Sequence, residues 1–201
     1  MKKLLYLIMI TISSLAVISC ENDSTMDEMN DTQNSVLETS QNNLMMKNGA
    51  PAPGENSIAE IAISAGFNEL VNALVYVDTD LNAGLVDLFL NGKDQFTVFA
   101  PTDQAFFDLY QALGITSINE LPANVVLDVL LYHVTDGRRA SNSVVPKNNN
   151  RTIETLQGGT FQVDSSGMII ATGNTAMITT ADISASNGII HVIDAVILPF
   201  N

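Results

Sequence analysis

The spacing of apolar residues changes once along this chain, and that change limits the fold more than any other feature. Up to about residue 134 the apolar positions recur with the helical period. Phe67, Leu70, Val71, Leu74 and Val75 follow i, i+3, i+4, i+7, i+8, and Leu81, Leu85, Leu88 and Phe89 continue the stripe until Asn91-Gly92 stops it. After Gly137 the segments RTIETL, GTFQV, GMIIAT, TAMITTADI and GIIHVIDAVIL are short, rich in Val, Ile and Thr, and separated by QGG, DSSG, TGN and ASNG. Helices gathered in one block and strands in another predict an α+β domain rather than alternating βαβ units.

Between the blocks, QFTVFAPTDQAFFDLYQALG reads as a strand, a proline break and a helix. Thr102 is placed to cap that helix and Asp103 suits its positive end. Phe106, Leu109, Tyr110 and Leu113 form its stripe, and Gly114 ends it. Pro122 opens a further helix through NVVLDVLLYHV. In the last strand, alternation puts His191 on one face and Asp194 on the other, so the two point apart and cannot act together. Both faces of that strand are otherwise apolar, which predicts a central strand with two buried, satisfied polar groups.

The front of the chain is of another kind. Lys2 and Lys3 precede an uncharged apolar stretch from Leu4 to Ile18, then Ser19 and Cys20, the one cysteine among 201 residues. This is the pattern of a secretory signal over residues 1–19, and VISC resembles a bacterial lipobox. The resemblance implies cleavage before Cys20 and acylation of it, with several chains giving firm anchoring. No thiol is then left for a disulfide, a nucleophile or a thiolate metal site. Residues 20–54 are expected to be a disordered acidic tether: from Glu21 to Gly54 there are six acids against Lys47, many Asn, Ser, Thr and Gln, and a closing Ala-Pro-Ala-Pro-Gly. Asp23-Ser24-Thr25 resembles an O-glycosylation motif, and the acidic Glu21–Ser24 resembles surface-export signals of some lipoproteins. A flexible chain of this length spans roughly 30 Å.

Residues 55–201 are enough for one core and carry sixteen acids and five bases, a net charge of −11. So negative a surface repels phosphate backbones and anionic headgroups, which disfavours nucleic acid as a partner. Two histidines in the whole chain, and no HExxH, GxSxG, P-loop or dinucleotide fingerprint, leave little for catalysis, a metal or a cofactor.

Three stretches carry a family resemblance. FTVFAPTDQAF (96–106), LLYHVTDGR (130–138) and TTADISASNGIIHVIDAVILP (179–199) together resemble the fasciclin, or FAS1, domain: its first box, its Tyr-His motif and its second box, in order. SIAEIAISAGFNELVNAL fits the domain's start, while VYVDTDLNAG departs from it as an insertion. The resemblance implies a wedge-shaped β-sandwich with helices packed along one side, and an extracellular adhesion or interaction module that generally lacks catalytic activity. It also implies that residues near the Tyr-His motif engage partners, which makes Tyr132 and His133 candidates by position. His133 falls on the packing stripe of Val126, Val129 and Leu130, however, so a purely structural role in the core stands beside the binding role. Arg138 and Arg139, an adjacent basic pair, are candidates for an acidic partner, an anionic glycan or the chain's own tether, against the plain reading of two solvated cations. Thr102, Asp103, His191 and Asp194 are read as structural. The expectation is a lipid-anchored outer-membrane adhesion or protein-interaction module without catalysis, the alternative being an envelope accessory protein that binds a glycan or other small ligand.

Overall fold

The computed structural model describes residues 50–200. The signal sequence, Cys20, the Asp23–Thr25 motif and the tether up to residue 49 lie outside the described residues. The helical block comprises α1 (Ile58–Ser64), α2 (Asn68–Leu81), α3 (Leu85–Asn91), α4 (Asp103–Leu113) and α5 (Ala123–Tyr132), with a 3-10 turn at Ile118–Glu120. Strand β1 (Phe96–Pro101) lies between α3 and α4, and β2 (Val134–Asp136) and the one-turn α6 (Ser141–Val144) follow α5. The strand block is β3 (Arg151–Glu154), β4 (Thr160–Val163), β5 (Met168–Ile170), β6 (Thr175–Ala185) and β7 (Gly188–Ile193).

Local chemistry sets most helix ends. Ser57 and Glu60 form a reciprocal capping box on α1. Thr102 Oγ1 accepts from the Ala105 amide at the start of α4, and Gly114 ends that helix in the left-handed conformation at φ 68°. The apolar stripe predicted to run unbroken through Phe89 is instead divided between two helices. Asn82 and Gly84 turn left-handed, and both Asp78 carboxylate oxygens accept from amides of the new helix, Leu85 and Val86, each at 2.8 Å. The carboxylate thus caps a second N-terminus, which lets the chain change direction while the stripe still faces the core.

All seven strands join in one sheet of order β2-β1-β7-β6-β5-β4-β3. β7 runs parallel to β1 and antiparallel to β6. The eleven-residue β6 serves two neighbours: its first residues pair with β5, and the remainder pairs with β7 through two register shifts between Ile178 and Ile183. Bulges bend a sheet. The sheet therefore folds over, and the expected sandwich is made of one bent sheet rather than two separate ones. Just past β3, the Leu156 amide reaches the carbonyl of Val134 in β2 at 2.8 Å, which brings the two ends of the sheet together.

This bend produces two cores. Phe99 and Ile193 face Ile153, Phe161, Val163 and Ile169 across the fold, with the Phe99 and Phe161 rings edge to face at 5.0 Å. On the opposite face, Val98, Ile190 and Val192 meet α1 to α5 through Ala73, Phe89, Phe106 and Val126. β7 is buried along its whole length because it lies between both cores.

The expected boundary at residue 55 differs from the contacts. Ser184 Oγ donates to the Ala52 carbonyl, the Gly54 amide donates to Ala185 at 3.2 Å, and the Ser186 amide donates to Asn56 at 2.7 Å. The close of the Ala-Pro-Ala-Pro-Gly run is therefore seated on the β6–β7 hairpin. A Cβ at Gly54 would collide with the Ser184 carbonyl oxygen, so this approach needs glycine.

Candidate functional site

The Tyr-His pair ends α5, and the helical stripe that carries Val126 and Leu130 into the core carries His133 with it. Tyr132 and His133 are only 1% and 3% exposed. The Tyr132 hydroxyl donates to the Thr160 carbonyl at 2.7 Å, and its ring meets Phe161 edge to face at 5.9 Å. His133 bridges two segments. Nε2 accepts the Ile197 amide at 3.0 Å, so the proton resides on Nδ1, which donates to the Val129 carbonyl at 2.7 Å. Val129 is in the last turn of its helix, where carbonyls lack helical partners. Burial lowers the imidazole pKa to about 4, with the Val129 bond opposing the shift. Of the two roles weighed for the pair, their placement fits the structural one: both face inward, and their polar atoms hold backbone.

Arg138 is not a solvated cation. Its guanidinium donates to the carbonyls of Pro51 and Ala52, to those of Ala185 and Gly188, and to Ser184 Oγ. It clasps the incoming chain to the β6–β7 hairpin, and partial burial lowers its pKa. Of the two arginines, the tether contact weighed from sequence belongs to this one, through backbone carbonyls rather than acidic side chains. Arg139 donates from Nε to its neighbour Asp136 carbonyl at 3.0 Å, and its terminal nitrogens make no hydrogen bond among the described residues. It is the one member of the four partner-binding candidates with a guanidinium still available.

His191 is fully buried and lies against Phe99, ring centroids 5.5 Å apart. Nδ1 accepts the Asp182 amide at 3.3 Å, so Nε2 is the donor to the Arg139 carbonyl at 2.9 Å. Burial lowers its pKa, opposed by the Arg139 bond and the Asp182 charge. Asp182 occupies the β6 bulge at φ 64° and accepts from the amide and hydroxyl of Ser141 at the start of α6. Asp194 was expected to be buried and is exposed. It lies just past the end of β7, and its carboxylate accepts the Met177 amide at 2.7 Å, which ties the strand's exit to β6 while leaving the rest in water. The two imidazoles hold different segments and share no partner.

Asp103 has a role that spacing does not reveal. Besides occupying the first turn of α4, its carboxylate accepts the Glu69 amide and Asn68 Nδ2, both at 2.9 Å, so it caps α2 from a distance of 34 residues. Asn187 is also unanticipated. Buried in the β6–β7 turn, it accepts the Ile58 amide at 2.8 Å and donates to the Phe89 carbonyl at 2.9 Å, joining α1 and α3 to the sheet. A short buried asparagine between turn and helices gives no sequence signal beyond its place in SNG.

Among the described residues, no three of His, Cys, Asp or Glu gather where they could hold a metal, and no helix is long and apolar enough to cross a membrane. The polar side chains near the Tyr-His motif therefore organise the backbone and leave no convergent acid, base and nucleophile there.

Comparison with known proteins agrees with the motifs. The family model described as the Fasciclin domain matches residues 65–199. Uncharacterized protein sll1735 of Synechocystis is 36% identical over 143 residues, covering 71% of this chain and 97% of that one. Immunogenic protein MPB70 of Mycobacterium bovis is 33% identical over 144 residues, covering 69% and 68%. A solved FAS1 domain pair from the insect cell adhesion molecule fasciclin I aligns with 66% of this chain and 46% of its own, at 20% identity and a TM-score of 0.46.

Proposed function

Since this chain belongs to the fasciclin domain family, we propose that it is a lipid-anchored, non-catalytic module for adhesion or protein interaction, held outside the cytoplasm by an acylated Cys20. The observation that carries this reading is the use made of the two histidines. Each ring has both nitrogens engaged with backbone and each is held neutral by burial, so neither serves as an acid, a base or a ligand at a surface. A domain organised this way works through shape and surface. Its net charge of −11 over residues 55–201 and the partly buried Arg139, whose terminal nitrogens are unengaged among the described residues, suit recognition of another protein by complementary charge.

The outer-membrane location rests on the lipobox-like VISC and the acidic residues that follow it. Binding of an envelope glycan has less support, since sugars need convergent polar groups and aromatic faces, and the chain has no tryptophan.

Fractionation of cells expressing the parent chain and Cys20→Ala tests the anchor. The parent belongs in the membrane fraction and is shed by protease added to intact cells, whereas the variant is soluble. Equal partition of the two refutes anchoring. Crosslinking on intact cells tests the interaction: a protein partner is expected, and saturable glycan binding with no protein captured overturns it.

A further inference from the structure

An apolar cavity of about 160 Å³ lies where α4, α5 and the last described residues meet. Leu109 comes from α4, Val125, Val126 and Val129 from α5, and Leu198 from the segment after β7. His133 is the one polar side chain on its wall, and both its nitrogens already hold backbone. Leu113 and Phe200 also line the space yet are 51% and 44% exposed, so the cavity opens to water between them.

We propose that this cavity is a binding site for a small uncharged apolar group: a single aromatic ring, or an alkyl end of about six carbons. Three observations define that class. The volume matches the apolar cavities of about 150 Å³ that stay dry and accept benzene. The lining offers no unengaged donor or acceptor, so water inside would lack the two to four polar partners it needs, and a sugar or peptide group would be desolvated without compensation. An empty apolar cavity also destabilises its surroundings in proportion to its volume, so an apolar guest is favoured without breaking any hydrogen bond.

Charge settles the polar end of the guest. From Pro101 to Gly137 the chain carries Asp103, Asp108, Glu120, Asp128 and Asp136 with no Lys or Arg, and neither α2 nor the residues after Asp194 supply one. Among the described residues that line the cavity, no cation is placed to receive a carboxylate or phosphate headgroup. The wall formed by Val196 and Leu198 flanks Ile197, whose amide His133 holds, so an occupant presses on the segment that the Tyr-His motif fixes. This site is independent of the adhesion reading.

Titration of the full chain by methyl NMR tests the assignment, with benzene, 1-hexanol and hexanoate as probes. Benzene and 1-hexanol are expected to shift the methyl signals of Leu109, Val125 and Val129 saturably, with hexanoate at least tenfold weaker. Val129→Phe fills the space and is expected to abolish the shifts while the remaining spectrum is retained, and Val125→Phe serves if the first variant does not fold. Absence of saturable shifts up to the solubility of both neutral probes refutes the site, as do unchanged shifts in a folded filled variant. Hexanoate binding as tightly as 1-hexanol refutes the charge argument. If the same methyls shift with protein concentration alone and sedimentation shows self-association, a neighbouring copy fills the cavity and the ligand assignment fails.

Discussion

Replacing His133 with alanine removes a ring that joins the end of α5 to the segment after β7, and two consequences can be separated by pH. At neutral pH the variant loses two hydrogen bonds and leaves the Val129 carbonyl and the Ile197 amide without their partner in the interior. Each net bond is worth about 1 kcal/mol and each stranded group adds a similar cost, so the loss is about 4 kcal/mol. The second consequence concerns protons. The folded pKa is about 4, below the ordinary 6.5, so between these values the unfolded chain binds more protons than the folded one. Stability from this group is therefore complete above about pH 6.5 and is lost as pH falls toward 4. That separation makes the parent about 2 kcal/mol less stable at pH 5.0 than at pH 7.5. His191 is lowered in the same direction, and its contribution is common to parent and variant. Urea unfolding of both chains at the two pH values measures both effects. A loss at pH 7.5 with an unchanged pH slope would leave the hydrogen bonds intact as an explanation but refute the buried neutral imidazole. An unchanged midpoint at pH 7.5 would refute the structural role altogether.

Other contacts give independent tests. Asp103→Ala is expected to lower stability by about 1 kcal/mol through loss of the α2 cap, with faster amide exchange at Glu69, and retained protection there contradicts the cross-helix bond. Arg138→Met releases the residues before α1: exchange at the Gly54 amide is expected to rise at least tenfold and proteolysis near Pro51 to become faster, while a merely solvated arginine would change neither. Asn187→Ala leaves the Ile58 amide and Phe89 carbonyl without their buried partner and should cost about 3 kcal/mol in thermal or urea unfolding, and a cost near zero refutes its joining role.

What the sequence discloses and what it conceals divide along the range of the interactions. Thr102, Gly114 and Pro122 act on their own helix, so their effect is visible within a few residues, and the change from helical to strand period is likewise a local pattern. Asp103, Asn187 and Arg138 act on segments 34 to 129 residues away, and no spacing rule connects such partners. Asp78 shows the same difficulty at shorter range. Its stripe continues without interruption, so only the carboxylate turned onto the Leu85 and Val86 amides reveals that the helix has ended. Asp194 looked buried because apolar residues surround it in sequence, yet the strand stops one residue before it. The packing stripe correctly carries His133 inward, whereas the bonds from its two nitrogens depend on where Ile197 returns. The apolar cavity is the least legible feature, because it is a space that side chains fail to fill.

The most direct measurement of the central claim, that the polar side chains of this domain hold backbone rather than perform chemistry, is imidazole nitrogen NMR as a function of pH. The chain has only two histidines, so each signal is assignable. The account predicts His133 protonated at Nδ1 alone and His191 at Nε2 alone, with His133 taking no second proton as pH falls through 6.5 to 6 and His191 titrating below the ordinary value. A ring that titrates near 6.5, or that averages freely between tautomers, would contradict it.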